Sequence, residues 1–147
     1  MSFNLESKLN LEADAEAVAA LLNQHGGRLL ADPEDHGTHW LELVPAREAG
    51  QIYIARTIWS AYPGAPPSVK FATAVGGRID VTSAWPTVPG FRPTSFDICM
   101  PFTEEGFNVH PDWRTSAEAW KSTGNPFLYV ASTLQRLLDT RYSGRHQ

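Results

Sequence analysis

Few side chains in this sequence pair a reactive type with a suggestive setting. Cys99 is the single cysteine of 147 residues. A thiolate is a nucleophile that can hold an acyl group covalently. A lone cysteine is also at home as a small buried apolar residue. His110 follows eleven residues later, in a stretch that reads as loop, Asn108-Val109-His110-Pro111-Asp112. An imidazole, with an ordinary pKa of about 6.5, suits proton transfer near neutrality; a loop histidine can equally cap the turn before Pro111. Cys99 and His110 together have the chemistry of a thiol hydrolase. Such enzymes set the cysteine at a helix N-terminus, which lowers its pKa. No helix start is visible around Asp97-Ile98-Cys99-Met100-Pro101. Asp97 and Asp112 would serve as orienting groups or bases, or simply be solvated. A neighbouring carboxylate raises an ammonium's pKa, so neither would help an amine lose its proton through its field.

Other chemistries find less support. His36 and His39 form an H-x-x-H pair near Asp32, Glu34 and Asp35. The pair sits at a turn rather than on a helix and has no evident third and fourth ligand, so a polar turn is the reading and no metal is expected. Gly76-Gly77 stands alone, without the pattern of a phosphate loop, and there is no Gly-x-Ser-x-Gly elbow. No cofactor is implied. Twelve basic against sixteen acidic residues give a net charge of −4, with no run of Lys or Arg. A nucleic-acid surface needs clustered cations, so nucleic acid is not an expected partner. One cysteine permits no internal disulfide and suits a reducing compartment. No basic leader with an apolar segment opens the sequence, and no apolar run reaches the roughly 18 residues of a membrane span. The expectation is one cytoplasmic domain over residues 1–147.

The elements that must position these residues follow from period and punctuation. Residues 3–11 alternate weakly, with Phe3, Leu5, Leu9 and Leu11 apolar, and a strand and a helix compete there. Ala13–His25 reads as a helix, with Asp14 as N-cap and Gly26-Gly27 as the stop. Strands are expected at Arg28–Ala31, Thr38–Val44, Gln51–Trp59 and Ser68–Thr73, separated by turns. Tyr62-Pro63-Gly64-Ala65-Pro66-Pro67 cannot be regular, because its prolines fix φ and remove donors. Residues 84–97, punctuated by Pro86, Pro89 and Pro93, read as irregular, as does 101–109. A short helix is expected around Thr115–Lys121, and a longer one after Asn125-Pro126, with Phe127, Val130, Leu134, Leu137 and Leu138 as its apolar stripe. Grouped strands with helices at both ends imply an α+β fold. Trp40 and Trp59, in strands, belong to the core; Trp85, Trp113 and Trp120 would pack the Cys99 segment, with one of them free to meet a partner.

At this point the residues resemble a family. Tyr62-Pro63-Gly64-Ala65-Pro66-Pro67-Ser68-Val69-Lys70-Phe71-Ala72-Thr73 closely resembles the Y-P-x-x-P-P-x-V-x-F-x-T segment of ubiquitin-conjugating (E2) enzymes, which follows a strand meander and enters its last strand. Asp97-Ile98-Cys99-Met100 is similar to the G-x-I-C-L surroundings of the E2 cysteine. Leu128–Leu138 resembles the helix after that site, and Trp120 stands for the family's tryptophan at a longer offset. The resemblance spans roughly residues 13–140. It implies a UBC-like fold: N-terminal helix, antiparallel meander of about four strands, Cys-bearing loop and C-terminal helices.

The activity it implies is that of an E2-like transferase. Cys99 would accept a ubiquitin-like modifier as a thioester from an E1-like activating enzyme and pass it to an amine of a target protein. His110 would deprotonate that amine, orient Asn108 or polarise the thioester carbonyl. Asn108 would be the oxyanion donor. The chain departs from the family in one respect. E2 enzymes carry His-Pro-Asn about ten residues before the cysteine; that position falls near Pro89-Gly90-Phe91-Arg92, and no asparagine lies between residues 24 and 107. The His-Pro pair here, His110-Pro111, follows the cysteine instead. The sequence thus resembles an atypical, prokaryotic member, of the kind associated with ubiquitin-like conjugation in bacterial antiphage defence. The rival expectations are a catalytically inactive UBC- or RWD-like binding module and the Cys-His hydrolase.

Overall fold

A computed structural model describes residues 3–147. The chain is α+β. Helix α1 spans Leu5–Gln24, strands β1 to β4 are Leu29–Ala31, Thr38–Leu43, Tyr53–Ile58 and Ser68–Ala72, and helix α3 is Pro126–Thr140. Between β4 and α3 come a two-stranded hairpin, β5 Phe91–Arg92 and β6 Asp97–Ile98, and the short helix α2, Glu104–Val109. The four longer strands form one antiparallel meander in the order β1-β2-β3-β4. Among the described residues no helix is long and apolar enough to cross a membrane.

Helix α1 begins eight residues before the expected Ala13. Asn4 is its N-cap, accepting from the Ser7 amide, and Ser7, Leu11, Val18 and Leu22 form the buried face. The alternation of Leu5, Leu9 and Leu11 misleads because Leu5 and Leu9 point to solvent, 67% and 55% exposed. Asp14 is therefore not a cap; it lies mid-helix and accepts a hydrogen bond from the Tyr62 hydroxyl. The stop at Gly26 holds: its φ of 89° is the left-handed conformation that glycine ends a helix with.

Helices α1 and α3 cover one face of the sheet. In β3 the inward residues are Tyr53, Ala55 and Thr57, while Ile54, Arg56 and Ile58 are half-buried on the other face. The isoleucines thus mark the outer side of that strand. Trp40, on the face opposite Leu41 and Leu43, is buried as well, in register with Leu30 and Arg56. Trp59 and Trp85 are both exposed by 1% or less.

The Tyr62–Pro67 loop joins β3 to β4 and ties three elements together. The Tyr62 backbone exchanges hydrogen bonds with the Ser7 hydroxyl of α1. Its phenol reaches Asp14 of α1 and accepts from the Phe127 amide at the start of α3, at 3.1 Å. The Tyr62-Pro63 bond is cis. Burial, and the Asp14 carboxylate that accepts from the hydroxyl, push the phenol's pKa well above its ordinary value.

Three expectations change between β4 and α3. Residues 101–109 are not a loop: Thr103 caps α2 by accepting from the Gly106 amide, and Glu104 and Glu105 sit in its first turn. The expected helix at Thr115–Lys121 is displaced. A 3-10 turn spans Pro111–Thr115, opened by Pro111, and residues 117–121 are irregular. Nor is 84–97 wholly irregular, since it holds the β5–β6 hairpin.

Candidate functional site

Cys99 follows directly on β6, and β6 lies against β4, the edge strand of the meander. The hairpin is anchored to that edge through Lys70, whose ammonium donates to the Phe96 carbonyl at 2.7 Å. Phe96 adopts φ 55°, rare for a non-glycine residue. That conformation closes the turn, and its ring lies 6.3 Å from that of Trp85. Phe91 pairs with Ile98 and Arg92 with Asp97. One step further the Cys99 amide donates to the Gly90 carbonyl at 2.9 Å. Phe91 and Ile98 are buried in the core, and Cys99 is half-buried.

Asp97 is held in a bidentate pair with Arg92, with Nε to Oδ1 at 2.7 Å and Nη2 to Oδ2 at 2.8 Å. This pairing holds the guanidinium's pKa above its ordinary value, and the charge of Cys99 adds a smaller contribution in the same sense.

From the other side, α2 closes on the cysteine segment. The Thr103 hydroxyl donates to the Ile98 carbonyl at 2.6 Å. Gly106 packs so tightly that a Cβ there would stand 2.1 Å from the Met100 carbonyl oxygen. Helix α2 also reaches β4, where Glu105 accepts from the Ser68 hydroxyl and, at 3.2 Å, from the Val69 amide.

His110 and Asn108 lie at the opposite end of α2 from these anchors. His110 caps the helix, its amide donating to the Gly106 carbonyl. Its ring stacks on Trp113, with centroids 4.2 Å apart and 23° between planes. The Asn108 side-chain oxygen accepts from Arg114 at 3.2 Å. The residues that the structure gathers around Cys99 are therefore Arg92 and Asp97, while His110 and Asn108 form a group with Trp113 and Arg114. Arg92 was not singled out in the sequence. Its signal was the five-residue spacing to Asp97, which only the hairpin turns into a contact.

Two clefts flank this region. Pro101 lines one of 570 Å³ with Trp120, Lys121, Asn125, Pro126 and Tyr129. The other, of 410 Å³, lies between Gly64–Pro66 of the proline-rich loop and Phe107, Asn108 and Arg114. Trp120 borders both; its indole donates to the Pro63 carbonyl at 2.9 Å and its ring lies 5.9 Å from that of Trp59. Trp113 and Trp120 are half-buried.

His36 and His39 diverge: His36 is exposed, and His39 is buried on the core face of β2, edge-on to Phe127 at 5.1 Å. Among the described residues no group of three or more His, Cys, Asp or Glu side chains could hold a metal ion. No family model matches the chain, and neither a curated protein nor a solved structure matches it.

Proposed function

We propose that this chain is an E2-like carrier of UBC-like fold, taking a ubiquitin-like modifier on Cys99 from an E1-like enzyme and passing it to an amine of a target protein. The observation that carries the reading is one of placement. The Tyr62–Pro67 segment lies between the last two strands of the meander, bound to α1 and α3, and the single cysteine sits half-buried in the segment after β4, just past β6. A thiol suits this work because a thioester keeps the acyl group reactive for a second transfer. His110 and Asn108 sit at the far end of α2, where His110 stacks on Trp113 and Asn108 accepts from Arg114. The work belongs to a reducing compartment, where the thiol stays free.

The hydrolase reading has less to rest on. Helix α2 starts at Glu104, five residues past Cys99, so the thiol does not sit at a helix N-terminus. The inactive binding module keeps one supporting observation, the engagement of Asn108 with Arg114. Cys99→Ser separates carrier from module. With an E1-like enzyme, modifier and ATP, the serine variant should trap an oxygen ester that survives reducing thiol, where the wild-type adduct is released. A protein that keeps its partner-dependent function as Cys99→Ala would be the module.

A further inference from the structure

Acyl transfer places negative charge on the carbonyl oxygen as the tetrahedral intermediate forms, and a preorganised donor aimed at that oxygen is a large part of catalysis. The β5–β6 hairpin holds a guanidinium, that of Arg92, next to the cysteine segment. Just past the Phe91–Ile98 pair, the Cys99 amide donates to the Gly90 carbonyl, which holds Cys99 against the hairpin. Residues two apart on a strand share a face, and so do directly paired residues. Phe91 and Ile98 take the buried face. Arg92, Asp97 and Cys99 therefore share the other. Arg92 is the diagonal neighbour of Cys99, a separation of about 7–8 Å that a long side chain spans.

Asp97 engages Nε and Nη2 on one edge of the guanidinium and leaves Nη1 unspent. The Arg92 side chain is 40% exposed and that of Asp97 13%, so the open part of the fork is the part a ligand can meet. The carboxylate also fixes the fork's orientation, so little order is lost when it donates.

We propose that Arg92, aimed by Asp97, binds the carbonyl oxygen of the acyl group carried on Cys99 and stabilises the oxyanion formed when an amine attacks it. This rests on the carrier function proposed above. The amine nitrogen bonds to the thioester carbon, and the carbonyl π pair moves onto the oxygen held by Arg92. The pair then returns, the carbon–sulfur bond breaks and Cys99 leaves as thiolate. The proton of the attacking nitrogen passes to water, and the product is an amide. Arg92 acts through its hydrogen bonds to the oxyanion.

The test uses the full chain, a short glycine-terminated peptide thioester of mercaptoethanesulfonate as acyl donor, and free lysine as acceptor. Acylation of Cys99 and discharge to lysine are followed by intact mass. Alkylation of Cys99 by iodoacetamide, which displaces iodide at a saturated carbon and forms no oxyanion, is the control. Arg92→Gln should slow acyl transfer by about tenfold to a hundredfold and leave alkylation essentially unchanged. Arg92→Lys, which keeps the charge and loses the fork, should fall between. Asp97→Asn should show the same split at smaller size. Equal transfer rates in wild type and Arg92→Gln would overturn the assignment, as would transfer and alkylation slowed alike in both Arg92 variants. A wild-type protein that takes no acyl group on Cys99 would instead overturn the carrier function, and this inference with it.

Discussion

His39 has a cost that pH can expose. Its ring is buried on β2 against Phe127, and Nδ1 has no hydrogen-bond partner among the described residues. Burial pushes its pKa down from 6.5 to about 4, against a weaker opposite pull from Asp32 and Glu12. Between those two values the unfolded chain binds more protons than the folded one, so stability rises with pH across that window. The stability is fully present above about pH 6.5 and is lost as pH falls toward 4. The expected loss from pH 7 to 4.5 is about 2 kcal/mol. Urea unfolding at the two values checks it, and His39→Leu should remove that share of the slope. Tyr62 makes a second residue-scale prediction. Tyr62→Phe strands Asp14 and the Phe127 amide and should cost about 2 kcal/mol, read as a lower urea midpoint with unchanged slope.

At the scale of elements, the Cys99 segment is clamped between a hairpin and a short helix. Helix α2 touches it through Gly106, where there is no room for a side chain. Gly106→Ala should push α2 away from Met100 and destabilise the fold by about 1–3 kcal/mol, with faster hydrogen exchange concentrated in residues 99–109. Which of these elements the sequence disclosed depends on where their signals lay. The central strands and α3 were legible because the whole period lies within each segment. Helix α2 was not, although Thr103-Glu104-Glu105 is a capped, acidic helix start; six residues and an interior glycine hide it. Likewise α1 gave a false alternation at its N-terminus because two of its leucines face solvent. The hairpin was invisible because its pairing depends on a positive φ at Phe96 and on the Lys70 bond to that carbonyl from β4.

For the whole molecule, the α+β order of helix, four-stranded meander and C-terminal helices follows from grouped strands and terminal helices, and the structure has it. In the sequence the candidate site shows as Cys99, His110 and Asn108, three residue types suited to acyl transfer. Its partners depend on pairings that no linear spacing shows: Arg92 arrives through the hairpin, whereas His110 is carried to the far end of α2. The central claim is that Cys99 carries a modifier as a thioester. Intact mass of the full chain after incubation with an E1-like enzyme, a ubiquitin-like modifier and ATP tests it most directly. The account predicts one added modifier, lost on treatment with reducing thiol and absent from Cys99→Ala. No adduct with an E1 that loads another carrier, or an adduct that persists in Cys99→Ala, would contradict it.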